Sequence, residues 1–406
     1  MNYGTGALLA LFFLAFALAS RKLSGSILTG PMLFAAVGFC IGPQVLGWVD
    51  VQISNHVIQG IAEVTLVVVL FTDAASTNFS SFRRSDNLPL RMLLVGMPLT
   101  IVLGTLAALG LFPGWTMWEA ALLAAILAPT DAALGQSVLE NEAIPERIRT
   151  GLGSESGLND GLALPLVLLF AALASGGSDS GATYWLQFIG SQILLGPLTG
   201  IAIGYAGGRL VALADEYGWM SDWAEGIAAM AIALGAFMFA EAVHGNGFLA
   251  AFAGGLAFGK GLGRKCRFLH EFEQTEAHML VLITFTLVGA MLLPAAMQHF
   301  TWACLAFALF ALTVMRMLPI ALSLAGLKLG FHTLAFVGWF GPRGLASVLF
   351  LLIVIESTDL ARESELLAAV ALTVALSIIL HGISAAPWAR IYARAASGTA
   401  SSTDST

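Results

Sequence analysis

Charge is what this sequence has least of. Asp, Glu, Lys and Arg make up 11% of its 406 residues, while 58% are hydrophobic; an average soluble domain carries roughly 25% charged residues. So little charge excludes a soluble globular domain. Cysteine is nearly absent too: Cys40, Cys266 and Cys304 lie far apart, in or beside apolar segments, without metal-type spacing, and read as packing residues. No positive charge precedes the first apolar run, so a removed signal peptide is not expected. The net charge of −7 says little about partners, because the charges sit in loops and at a few positions within apolar runs. The expected partner is the lipid bilayer, and no nucleic-acid partner is expected.

What is present is a series of apolar runs near the ~20 residues needed to cross the hydrocarbon core. Thirteen can be counted, and the chain is read as an all-α polytopic membrane protein of about thirteen transmembrane helices. With thirteen spans, the loops alternate between sides. Of the 18 Lys and Arg residues, Arg362 alone falls on one side, Arg316 and Arg343 fall inside spans, and the remaining fifteen share the other side. Positive loops face the cytoplasm. The expected topology is therefore an outside N-terminus and a cytoplasmic C-terminus, in the cell (plasma or inner) membrane. Residues 1–395 are expected to form a single transmembrane unit, and the small polar tail 396–406 is expected to be disordered and too short for a large regulatory domain.

Repetition suggests how the spans are arranged. Gly30, Gly38 and Gly42 in span two recur with identical spacing as Gly247, Gly255 and Gly259 in span nine, 217 residues later. "LAPTDAA" around Pro129 and "FGPRGLA" around Pro342 match at an offset of 213. Repeat one then covers about 4–175 and repeat two about 221–390, with a linking helix at about 184–213. A single connecting span inverts the second six-helix unit relative to the first, as in many secondary transporters. Pro129, and Pro342 with Gly341 and Gly344, should break spans five and twelve, since proline lacks the backbone donor and clashes with the preceding turn. Half-helix ends then carry partial charges within the membrane.

Acids inside spans are costly and mark function. Glu63 and Asp73 fall in span three, Asp131 in span five, Glu155 and Asp160 in span six, and Glu241 near the end of span eight. Glu155 points about 140° away from Asp160 around a helix, so the two carboxyls need not share a task. Glu155 is expected to pair with buried Arg316, whose guanidinium cannot shed its charge. That leaves Asp160 free to titrate. A carboxyl in low dielectric can hold either a proton or a metal ion, each displacing the other. A hard monovalent cation wants oxygen ligands: the Asp160 and Asp131 carboxylates, the Thr130 and Ser156 hydroxyls, and carbonyls freed at the span-five break. His244 and His381, close to span ends, are read as interfacial hydrogen bonders.

"APTDAA", then "ESGLNDG", the arginine of "VMRMLP" and the glycine-rich "GPRGLA" together resemble the monovalent cation/proton antiporter superfamily, specifically its sodium/proton exchanger branch. The likeness covers the whole hydrophobic chain. It implies a homodimer with a dimer domain and a core domain, and elevator-like alternating access about crossed, unwound helices. It maps cation and proton binding onto Asp160, assisted by Asn159, Thr130, Asp131 and Ser156, and adds Asp73 through "LFTDAASTNF". The family's buried ion pair maps onto Glu155 and Arg316, and Arg343 falls at the second break, where its charge compensates the discontinuous helices. The Asn159–Asp160 pair is associated with electroneutral exchange, and one titratable carboxylate carrying either one proton or one cation gives the same 1:1 balance. No cofactor is implied beyond the transported sodium, lithium or potassium, and no enzyme activity is expected. A hydrolase is disfavoured because "GSESG" lacks the nucleophile serine of a G-x-S-x-G turn. A sodium-coupled solute symporter of related fold is the alternative.

Overall fold

In lipid, a backbone must satisfy its own N–H and C=O groups, and a helix does so within one segment. The computed structural model describes residues 3–23, 26–43, 45–48, 55–76, 87–139, 141–176, 182–263, 277–327 and 329–403, and among these the regular structure is helical throughout. In chain order the helices are α1 (Tyr3–Leu23), α2 (Gly30–Ile41), α3 (Asn55–Ser76), α4 (Leu88–Leu111), α5 (Met117–Ile126), α6 (Ala132–Leu139), α7 (Glu146–Ala174) and α8 (Ala182–Glu216). There follow α9 (Asp222–Ala242), α10 (Gly247–Leu262), α11 (His278–Gln298), α12 (Trp302–Ser323), α13 (Phe331–Trp339), α14 (Leu345–Ser357) and α15 (Glu363–Thr403). Among the described residues eight helices are long and apolar enough to cross a membrane, and α2, α5, α10 and α14 are shorter apolar helices. The chain is a multi-pass membrane protein.

Proline sets the local irregularities. A π-helical stretch, Met92–Gly96, interrupts α4 just before Pro98, and another, Val288–Leu292, interrupts α11 just before Pro294. In each case the carbonyl four residues before the proline, Leu94 or Ala290, lies inside the wide turn, which relieves the ring's clash with it. At Pro129 and Pro342 the helix gives way entirely. Residues 127–131 separate α5 from α6, residues 340–344 separate α13 from α14, and both stretches are buried.

Glycine sets the closest approaches. Gly196, Gly200, Gly204 and Gly208 form one four-residue stripe on α8, and a Cβ at any of them would run into the backbone of Asn246, Ala250, Gly254 or Phe258 on α10. This small-xxx-small seam lets two backbones touch without side chains between them. Helix α10 also packs along α3, and α2 along α11. Gly38 lies against Thr286 and Ala290 of α11, while Gly255 lies against Phe71 and Ala74 of α3. Helix α15 continues to Thr403, into the tail expected to be disordered; residues 404–406 lie outside the described residues, as do 264–276 with Cys266 and 77–79 of "LFTDAASTNF".

Candidate functional site

The two breaks cross and touch: the Asp131 amide donates to the Pro342 carbonyl at 2.7 Å. Four helix ends therefore meet in a buried region, and each needs a partner for its unsatisfied backbone groups. Asp131 serves two of them. Its Oδ1 accepts from the Ala133 and Leu134 amides at 2.8 and 3.2 Å, and its Oδ2 accepts from the Leu345 amide at 2.6 Å. One carboxylate thus caps the starts of both α6 and α14, where helix dipoles favour negative charge. The structure gives Asp131 this task first, ahead of the cation-ligand role expected from sequence.

Arg343 does the converse at the end of α5. Its Nη1 donates to the carbonyls of Ala128 and Pro129, the latter at 3.0 Å, setting a cation on a helix C-terminus. The end of α13 is met by a residue that sequence reasoning placed elsewhere. His381 lies in α15 at 2% exposure, not at an interface, and its Nε2 is 2.9 Å from the Trp339 carbonyl. Its Nδ1 is 3.0 Å from the Ser377 carbonyl, so each ring nitrogen faces a backbone acceptor. The Ser377 hydroxyl lies 3.3 Å from Nδ1, and its oxygen accepts the Arg343 amide at 2.7 Å. Trp339 stacks on the imidazole with centroids 5.1 Å apart. His381 and Ser377 so bridge the second break from one side to the other. Nothing in the local sequence of α15 signals this.

Helix α7 supplies the remaining polar groups. Arg316 from α12 grips Glu155 with two parallel bonds, Nη1 to Oε1 at 2.6 Å and Nη2 to Oε2 at 2.7 Å, fully buried, as expected. The geometry is the charge-assisted fork that a guanidinium and a carboxylate favour. Asn159 joins this pair to the first break: its Nδ2 donates to Glu155 Oε1 at 3.2 Å and Thr130 Oγ1 at 2.9 Å, and its Oδ1 accepts the Thr130 amide at 3.3 Å. Thr130 Oγ1 and Ser156 Oγ lie 2.8 Å apart. Thr130, Ser156, Asn159, Glu155 and Arg316 are thus one connected network. Gly341 permits it, since a Cβ there would collide with the Arg316 guanidinium.

Asp160 stands apart from that network. It is 4% exposed, and its Oδ1 has no hydrogen-bond partner among the described residues. The carboxylates of Asp131, Glu155 and Asp73 are the charges that act on it. Asp73 sits on α3 at intermediate burial. Glu63 and Glu241 belong elsewhere: Glu241 is exposed and accepts the Gly247 amide at 2.8 Å, at the start of α10, and Glu63 has Glu241 as its charged neighbour. A buried carboxyl with an unused oxygen, near other carboxylates and without an ion pair among the described residues, is suited to take up a small cation or a proton.

The transmembrane family profile described as sodium/hydrogen exchanger matches residues 7–391. The chain belongs to the sodium/hydrogen exchanger family. Within that family it is 27% identical over 352 residues to the K(+)/H(+) antiporter NhaP2 of Shewanella oneidensis, covering 85% of this chain and 59% of the relative. To the Na(+)/H(+) antiporter NhaH of Halobacillus dabanensis it is 24% identical over 278 residues, 65% of this chain and 66% of the relative. The chain therefore spans about three-fifths of the length of NhaP2. Its fold matches that of the sodium proton antiporter MjNhaP1 from Methanocaldococcus jannaschii with a TM-score of 0.76 at 20% identity, covering 96% of both chains.

Proposed function

We propose that this exchanger-family chain is a secondary active antiporter that moves protons against sodium, lithium or potassium, with Asp160 as the group that carries one or the other. The observation that carries the reading is the buried Asp160 carboxyl with its unpartnered oxygen, placed beside two crossed helix breaks. Relatives named as K(+)/H(+) and Na(+)/H(+) antiporters support the class of cargo. Ser156 and Thr130 hydroxyls are the neutral side-chain oxygens offered to a cation there, since Arg343 already takes the Ala128 and Pro129 carbonyls. Asp131, held by three backbone N–H groups, contributes charge more than a vacant ligand site, and Asp73 contributes from α3. Asn159 cannot ionise, so each cycle carries one charge per site in each direction, and exchange is electroneutral at 1:1.

The same reading takes the helices as thirteen crossings, the fifth built from α5 and α6 and the twelfth from α13 and α14. Two inverted repeats are supported by the packing of the matched glycines: Gly38 on α2 meets α11, and Gly255 on α10 meets α3. Spans three and ten would be each other's counterparts. Alternating access, a homodimer, an outside N-terminus and residence in the cell membrane complete the proposal.

The test is proton flux, read with a pH-sensitive dye in everted vesicles on addition of sodium, lithium or potassium chloride, wild type against Asp160→Asn. Wild type should dissipate a preformed pH gradient on adding at least one salt, and the variant should not. Full exchange by Asp160→Asn would overturn the assignment, and a flux that needs an added organic solute would favour a symporter.

A further inference from the structure

Pro165 lies inside α7, five residues after Asp160. It has no amide hydrogen, so the carbonyl four residues earlier, that of Gly161, loses its helical donor. That carbonyl is adjacent to Asp160 and buried, where an unmet acceptor is costly. The missing donor comes from another helix. Asn246 Nδ2 donates to the Gly161 carbonyl at 3.2 Å, from a residue with 0% exposure.

The rest of Asn246 is equally committed. Its Oδ1 accepts the Leu249 amide at 2.9 Å and caps the start of α10, while its own amide donates to the Gln192 carbonyl at 3.3 Å on α8. The approach is close enough to require glycine on the opposite face: a Cβ at Gly161 would meet the Leu249 side chain, and one at Gly157 the Phe252 ring. Asparagine is the side chain that fits both bonds, since one end must accept and the other donate.

We infer that Asn246 is a positioning residue for ion exchange, standing in for the donor that Pro165 removes and holding the turn of α7 that carries Asp160. The inference rests on the antiport reading for its functional half, and on geometry alone for the tether.

The tether is tested by a double-mutant cycle on the full chain. Asn246→Ser keeps a good capping oxygen for α10 but is too short to reach Gly161. Pro165→Ala returns an amide that can bond Gly161 within α7. In purified protein, Asn246→Ser should lower the unfolding temperature in the Pro165 background and change it little in the Pro165→Ala background. In proteoliposomes the same single variant should raise the cation KM about five- to tenfold, the weight of one orphaned buried group, and displace the pH profile. The double variant should return to the values of Pro165→Ala. Additive stability effects, or a kinetic defect in Asn246→Ser that Pro165→Ala does not rescue, would overturn the inference. Coupled stability effects in a chain whose wild type moves no protons with any salt would overturn the antiport reading and leave the tether standing.

Discussion

At the scale of single residues, the site separates groups that hold structure from the group that is left open. Glu155 and Arg316 consume each other, and Asn159 and Thr130 tie that pair to the first break. Asp160 keeps an oxygen with no partner among the described residues. Removing one member of a buried pair leaves the other charge uncompensated, at a cost of about 3–5 kcal/mol. Arg316→Met should therefore lower thermal stability steeply, whereas Glu155→Leu combined with Arg316→Met should recover much of the loss. Unfolding of purified protein measures both. Asp160→Asn removes a charge with no ion-pair partner among the described residues, so it should leave stability equal or higher while abolishing exchange, and this contrast separates the two carboxyls of one helix.

At the scale of helices, orphaned backbone groups explain which side chains matter. Each end at the crossed breaks has a partner of suitable polarity: Asp131 for the starts of α6 and α14, Arg343 for the end of α5, and His381 for the end of α13. The locations of the breaks could be read from Pro129 and Pro342, because proline acts on its own turn. His381 could not, since it lies 42 residues from Trp339 on a different helix. The α8–α10 seam is a second case. Its glycines are spaced at four residues on α8, but what they touch depends on α10 being there. Gly200→Leu would insert a side chain where the Ala250 backbone now lies, and the bundle has no room to absorb it. Loss of monodisperse protein after extraction is expected, while Gly235→Leu, where nothing lies within 4 Å of the added Cβ, should be tolerated.

At the scale of the whole molecule, the orientation proposed from the distribution of basic residues can be measured directly. In a chain stripped of native cysteine, Asn2→Cys should react with a membrane-impermeant thiol reagent added to intact cells, and Ser397→Cys should react only after permeabilisation. The opposite pattern would invert the topology. The helical membrane fold and the family were within reach of composition and of four short motifs, because bilayer thickness fixes run length and proline and glycine fix breaks. Where the tail was expected to be disordered, α15 continues to Thr403, which a run of Ala, Ser and Thr beyond Arg394 did not announce.

Sequence by itself determined what acts within one turn or one bilayer thickness: apolar run lengths, the breaks at Pro129 and Pro342, and the presence of Glu155, Asn159 and Asp160 on one helix. Tertiary structure alone decided who answers the backbone groups left without helical partners at those breaks and before Pro165. Asn246 meets Gly161 across 85 residues and Arg343 meets Pro129 across 214. The physical reason is that a missing hydrogen bond is created locally, whereas its replacement is whichever donor packing brings within about 3 Å.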